Sequence, residues 1–279
     1  MSLPVSICIP VRNEEKNLPD CLASLGEFDE VVVVDSGSSD RTVEIARAAG
    51  ATVLRFEWDG GFPKKRNWAL RNHVFKHPWV LFLDADERMN TAMVNELGKT
   101  LPNTTHSGFW ISFTNWFMGR PLHHGDVFHK LSLFRVGHGE YERFPEEFWS
   151  RLDMEIHEHP VLQGSVGELR TRLEHYDYRG LENYFARHNE YSTWEANRYQ
   201  WFKRQASAED WAKLNTRQRF KYRHLDKWWL GTFYFLMAYL AKKGFLDGYR
   251  GWIFNRLKQR YFADIRLKIL EMESGKSSN

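Results

Sequence analysis

The first third of the chain is organised by short runs of β-branched, aromatic and other apolar residues, at positions 5–9, 31–34, 51–56 and 79–83. Two of them, Val31-Val32-Val33-Val34 and Val80-Leu81-Phe82-Leu83, show no polar alternation and read as strands buried on both faces. Between the runs the period changes. Leu18, Cys21, Leu22 and Leu25 fall at i, i+3, i+4 and i+7, which predicts an amphipathic helix, with Asn13 placed to cap it and Glu14 and Glu15 in its first turn. Pro10 ends the first strand on this pattern. Val43, Ile45, Ala46 and Ala49 mark a second helix that Gly50 terminates. A third spans 64–75, with Trp68, Leu70 and Val74 inward. Strands alternating with short helices predict an α/β fold with a mostly parallel sheet.

Strands are also expected at 108–113 and 131–136, and the pattern turns helical from Leu181 onward. Leu181, Tyr184, Phe185, His188 and Tyr191 share one helical face. Residues 228–241 then run without a charge, rich in aromatics and too short to span a bilayer. Beyond them Phe245, Tyr249, Trp252, Ile253, Leu257 and Tyr261 form an apolar stripe interleaved with Lys and Arg. The expected division is an α/β domain over 1–180 and a helical, aromatic-rich basic region over 181–279.

Composition adds little constraint on function. At 42% hydrophobic, the 279 residues support a real core, and a net charge of +3 does not argue for nucleic acid. Cys8 and Cys21 sit at apolar positions and read as buried thiols of a reducing compartment. The N-terminus leads straight into a strand, so no signal peptide is expected, and no apolar run approaches the roughly 20 residues of a membrane span. The charge is unevenly distributed. From 227 to 268, nine Lys/Arg face two Asp, a balance of +7 that leaves −4 for the remainder. This suits a helix lying on anionic lipid, or a basic helical cap.

The candidate chemistry lies at strand ends. Asp84 and Asp86 follow the buried run at 79–83, where open α/β sheets bind ligands. In extended backbone they share one side, and two carboxylates at that spacing favour a hard divalent ion, Mg²⁺ or Mn²⁺; a solvated turn is the plainer alternative. Asp35 ends the second strand, placed to accept from a base or ribose, or simply to start a turn. Arg66, with Lys64 or Lys65, is placed to reach phosphates, or forms a solvated helix face. Together they predict a nucleotide-diphosphate site. The absence of Gly-x-Gly-x-x-Gly and of Gly-x-x-x-x-Gly-Lys-Ser/Thr argues against dinucleotide dehydrogenases and P-loop NTPases.

Three segments, Val5-Ser6-Ile7-Cys8-Ile9-Pro10-Val11-Arg12-Asn13-Glu14, Val32-Val33-Val34-Asp35-Ser36-Gly37-Ser38-Ser39-Asp40-Arg41-Thr42 and Leu81-Phe82-Leu83-Asp84-Ala85-Asp86-Glu87, resemble the family 2 glycosyltransferases of the A-type fold (GT-A). The resemblance implies inverting transfer from a UDP-sugar with a divalent metal. It places Pro10, Arg12 and Glu14 along the nucleotide pocket, Asp35 on the base, and Asp84 and Asp86 on ribose and metal. Ser36 stands where many relatives have a second Asp. Ile156-His157-Glu158 resembles a subgroup acting on the lipopolysaccharide inner core, as does the Gly-Phe-Leu-Asp-Gly run at 244–248. On this basis Glu158 is the expected general base, with Glu155 and Asp153 as rivals. His175 resembles the histidine that completes the metal or diphosphate site in many such enzymes, with a structural histidine as the alternative. The expected partners are a UDP-hexose, glucose first, and a lipid-linked saccharide acceptor, without nucleic acid. The expected location is cytoplasmic, peripheral on the inner face of the cell membrane. A polyprenyl-phosphate sugar synthase and a non-catalytic nucleotide-sugar or glycan-binding protein are the alternatives.

Overall fold

In the computed structural model, described for residues 3–143, 153 and 159–275, the chain forms two compact units. The first takes the chain up to Trp116 and the described residues between 127 and 177. The second takes Phe117–Asp126 and everything from Tyr178.

The first unit alternates β1 (Val5–Val11), α1 (Leu18–Ala23), β2 (Val31–Asp35), α2 (Thr42–Ala48), β3 (Thr52–Arg55), α3 (Lys65–Asn72) and β4 (Trp79–Phe82). β5 (Glu87–Arg88), α4 (Thr91–Thr100) and β6 (Gly108–Phe117) follow. Past β7 (Arg120–Pro121), a strand of the second unit, come β8 (Phe128–Arg135), β9 (Gly139–Tyr141), β10 (Pro160–Leu162) and β11 (Val166–His175). The sheet order is β3-β2-β1-β4-β8-β6-β11-β5. β3, β2, β1 and β4 run parallel, as crossover helices require. β8 is antiparallel to both β4 and β6, and β11 rejoins parallel to β6. β1 and β4 are buried at every position, consistent with cover on both faces.

β1 does not stop at Pro10. It continues to Val11, pairing Pro10 with Val34 and Val11 with Asp35. The reason is one-sided: registered pairing with β4 ends at Cys8 and Phe82, so the missing N–H of Pro10 costs no ladder bond there. Asn13 is not the cap of α1 either. With φ at +56° it turns back, and its side chain accepts from the Ser39 N–H at 2.8 Å, tying the β1 loop to the β2 loop. The helix begins four residues later, after Asn17.

The largest departure is α3. It ends at Asn72, Val74 is 94% exposed, and the buried face carries Lys65, Arg66, Asn67 and Ala69. The basic run is therefore an inward face rather than a solvated one. Asn67 fixes it by exchanging two hydrogen bonds with the backbone of Tyr141, at 2.9 and 2.8 Å.

The second unit is helical: α5 (Leu181–Arg204), α6 (Ala208–Lys213), α7 (Thr216–His224), α8 (Leu230–Leu236) and α9 (Gly248–Ser274). A π-helical turn, Met237–Ala241, extends α8, and a 3₁₀ turn, Gly244–Asp247, leads into α9. α9 packs along α5 and α8 through Gly251, Asn255, Phe262, Ile265 and Ile269, and Phe262 stacks on Tyr234 at 4.6 Å. One side of it is thus core of this unit, while Tyr249 and Trp252 at its start and Leu267 and Leu270 near its end face outward. Asp126, nearly buried, receives Arg217 at 2.7 Å, Lys242 at 2.8 Å and Lys258, which pins the 122–126 loop.

Candidate active site

Side chains from five strand ends and one helix converge at the carboxyl edge of the first unit. β4 ends at Phe82, so Asp84 and Asp86 stand on a turn instead of in extended backbone. The Glu87 N–H closes it by donating to the Asp84 carbonyl at 2.9 Å. The turn separates the two carboxylates and gives each its own partners.

Asp84 is met by protein cations. Arg66 of α3 lies 2.7 Å from one oxygen, and Lys130 of β8 contacts the other while also reaching Glu87. Burial pushes the Asp84 carboxyl up, but Lys130 and then Arg66 outweigh it and hold it well below the usual carboxylate range. For Lys130, burial works against the charge, and Asp84 and Glu87 overcome it, so the ammonium is held above the ordinary lysine range. Glu87, fully buried, is raised by burial, with Lys130 opposing and Asp84 adding to the rise. Its second oxygen accepts the Asp84 N–H at 2.9 Å, which locks the turn.

Asp86 points elsewhere. Its Oδ1 is 3.6 Å from Nε2 of His175, at the end of β11. Asp86, His175 and Asp177 each present one donor atom, all within 4.8 Å of one another. Nδ1 of His175 lies 2.9 Å from Oδ1 of Asn115 on β6, and donating there leaves Nε2 free to ligate. The ring is wedged by Phe128, stacked at 5.5 Å, and Phe113 at 6.0 Å. For an octahedral ion with ligands at about 2.1 Å, neighbouring donors sit about 3 Å apart and opposite ones about 4 Å. Two carboxylates and an imidazole at these separations fit Mn²⁺ or Mg²⁺ with little adjustment.

The remaining sequence candidates line the same edge. Pro10 is buried within β1, Arg12 is exposed just beyond it, and Glu14 is half-buried with its N–H donating to Thr42 Oγ1 at 2.8 Å. Asp35, 5% exposed, accepts from the N–H groups of Gly37 at 3.0 Å and Ser38 at 3.1 Å and from the Ser38 hydroxyl, so it organises its own loop. Lys65 donates to the Val11 carbonyl at 3.0 Å and pairs with Asp153 at 3.2 Å. Burial lowers its pKa, and Asp153 offsets only part of that. Glu155 and Glu158 lie outside the described residues.

Sequence reasoning missed Lys130, Glu87, Asn115 and Asp177. Asp177 had a signal, since His175-Tyr176-Asp177 repeats the one-residue spacing of Asp84-Ala85-Asp86. Lys130 had none: it is one cation in an otherwise ordinary strand.

The sequence model for glycosyl transferase family 2 matches residues 6–149. The lipopolysaccharide core biosynthesis glycosyltransferase LpsC of Rhizobium meliloti is 30% identical over 203 residues, covering 70% of this chain and 71% of LpsC. A TPR repeat-containing protein of Synechococcus elongatus is 43% identical over 98 residues, 35% of this chain and only 24% of that protein. Among solved structures, S. aureus TarS 1–349 aligns over 99% of this chain and 92% of its own at 16% identity, with a TM-score of 0.45. Glucosyl-3-phosphoglycerate synthase from Mycobacterium tuberculosis, in complex with Mg²⁺ and UDP, aligns over 42% of this chain and 44% of its own at 25% identity, with a TM-score of 0.31.

Proposed function

The chain belongs to glycosyl transferase family 2, with the GT-A fold in its sheet unit, and we propose that it moves a hexose, glucose first, from a UDP-sugar to a lipid-linked saccharide. The lipopolysaccharide inner core is the favoured acceptor, which puts the enzyme at the inner face of the cell membrane. One observation carries the donor half of this reading: the turn after β4 splits its two carboxylates between a cationic cluster and the Asp86, His175 and Asp177 trio, whose donor atoms lie within 4.8 Å of one another. The LpsC relative supports the acceptor.

In this reading Pro10, Arg12, Glu14 and Asp35 line the nucleoside end of the pocket. Arg66 orients Asp84 toward the ribose, and its positive field, with that of Lys130, favours the anionic diphosphate nearby. Asp86, His175 and Asp177 would hold Mn²⁺ or Mg²⁺, which neutralises charge on the departing diphosphate when bound. Asn115 keeps the His175 Nε2 lone pair directed at that position. Glu158 is the proposed base for the acceptor hydroxyl, ahead of Glu155 and of Asp153, whose carboxylate is engaged by Lys65.

The test is UDP release from a panel of UDP-sugars, with and without Mn²⁺ and an inner-core acceptor. UDP-glucose is expected to turn over best. Asp86→Ala should cut release by about 10²-fold or more and abolish the Mn²⁺ binding seen by paramagnetic resonance, with the melting temperature retained. Undiminished turnover in a chelator would remove the metal from the mechanism.

A further inference from the structure

α8 presents two opposite faces. Leu230, Gly231, Tyr234 and Ala238 turn inward onto α9, with Gly231 packed against the Gln259 carbonyl. Phe233, Leu236, Met237 and Leu240, spaced i, i+3, i+4, i+7, turn outward, and all four are exposed. A surface helix normally carries polar residues on that face. This one carries hydrocarbon, and Phe245 and Leu246 of the 3₁₀ turn and Tyr249 and Trp252 of α9 are exposed as well. Trp228, 77% exposed, flanks the helix start.

The patch is built as one piece. A Cβ on Gly251 would sit 2.2 Å from the Gly244 carbonyl oxygen, and one on Gly244 would sit 2.8 Å from that of Ala238. The end of α8, the turn and α9 therefore meet backbone to backbone, leaving no room for a side chain between them. Tyr239 and Phe245 touch across this joint at 6.3 Å, and Phe235 lies against Arg256 at 5.9 Å.

Its border is cationic. Lys243 follows the π turn and Arg250 and Arg256 lie on α9, beside Lys227 and Lys242, which are also paired to Asp226 and Asp126. An isologous contact with a second copy would bring like charges together around the apolar centre. A layer of anionic headgroups over hydrocarbon matches both parts at once. No helix among the described residues is long and apolar enough to cross a membrane, and α8 with its π turn spans about 18 Å, well short of the roughly 30 Å hydrocarbon core. Such an element lies along a surface instead of crossing it.

We infer that the outer face of α8, continued through the Gly244–Asp247 turn to Trp252, is the surface by which this chain docks on an anionic lipid bilayer. The inference rests on the lipid-linked acceptor proposed above and assigns the docking to named residues.

Co-sedimentation with vesicles of equal parts phosphatidylglycerol and phosphatidylcholine tests it, using the full chain. Wild type should bind at low salt and weaken as salt screens the headgroups. Leu236→Ser with Leu240→Ser should weaken binding by at least about tenfold, with an unchanged melting temperature. Lys243→Asn, chosen because Asn tolerates the left-handed backbone at φ +59°, should weaken binding to anionic vesicles about fivefold and leave binding to neutral ones alone. Brominated lipid should quench tryptophan fluorescence in wild type and less so after Trp228→Ser. Wild-type binding unaffected by the Leu pair, or no wild-type binding at low salt, overturns the assignment. So does a wild-type dimer that the Leu pair dissolves while vesicles are ignored, which would make a second copy the occupant. UDP release from UDP-sugar alone needs no lipid. If no donor turns over while the Leu pair still abolishes vesicle binding, the donor reading fails and the docking surface stands.

Discussion

In the sheet unit Lys65, Arg66, Asp86 and Glu87 are all less than a tenth exposed, whereas in the helical unit Trp228, Leu240, Leu246 and Tyr249 are all more than half exposed. Each unit departs from the ordinary partition of charge outside and hydrocarbon inside. In the first, burial is tolerated because charges arrive in sets: Arg66 and Lys130 with Asp84 and Glu87, Lys65 with Asp153. In the second, the exposed hydrocarbon has no covering element among the described residues. The same departure therefore means different things. The buried charge of the sheet unit carries the donor site proposed above, and the exposed hydrocarbon of the helical unit carries the docking surface inferred above.

The comparison breaks most readily at Lys130. Lys130→Met leaves Asp84 and Glu87 sharing a buried site in which Arg66 still pairs with Asp84, and should cost about 3 kcal/mol in denaturant unfolding. Adding Glu87→Gln should recover part of the loss, because one of the two anions is gone. A single variant as stable as wild type would mean that water, not Lys130, solvates the pair.

A smaller effect is expected from the helical unit's own buried charge. Burial pushes the Asp126 carboxyl up, but Lys258 and Arg217 outweigh it and hold it well below the usual range. Asp126→Asn should cost about 2 kcal/mol, less than a fully buried pair because Arg217 and Lys242 are half-exposed. The sign with pH follows. A depressed carboxyl pKa contributes stability that is complete above its unfolded value, near pH 4, and fades below it. The gap between wild type and Asp126→Asn should therefore close as the solution is acidified below about pH 4. A gap that stays constant would assign the loss to packing.

The smallest effect sharpens the contrast. Leu236→Ser with Leu240→Ser should shift unfolding by no more than about 0.5 kcal/mol per site, since both residues already face water. A loss of several kcal/mol would show that this face is packed in solution, and the two units would then differ less than they seem to in the structure.

Much of the sheet was legible in the sequence because apolar burial leaves a local record. The runs at 31–34 and 79–83 have no polar alternation and form buried strands; Leu18 and Cys21 at helical spacing are the buried side of α1, and Leu25 is buried just past its end. The carboxylates at strand ends were legible for the same reason, since a strand must stop somewhere and Asp84 and Asp86 stand just past the stop. His175 was singled out by resemblance alone, beside Asp86 as a metal ligand, and the structure sets its Nε2 3.6 Å from that carboxylate.

What the sequence could not disclose is which charges are inward. Lys64-Lys65-Arg66 has the look of a solvated helix face, and only partners supplied by the loop at Asp84, the carbonyl of Val11 and Asp153 turn it to the interior. Lys130 reaches Asp84 across 46 positions of sequence. The tail likewise reads as one amphipathic stripe, yet packing against α5 and α8 buries one side of α9, at Gly251, Asn255, Phe262, Ile265 and Ile269, and leaves the outer side of α8 uncovered. Hydrophobic period is a property of neighbours along the chain, so the sequence alone determined strands, helices and the positions of the acidic turn. Burial of a charge, or exposure of an apolar face, depends on groups brought together from distant positions, and that was decided only by the tertiary structure.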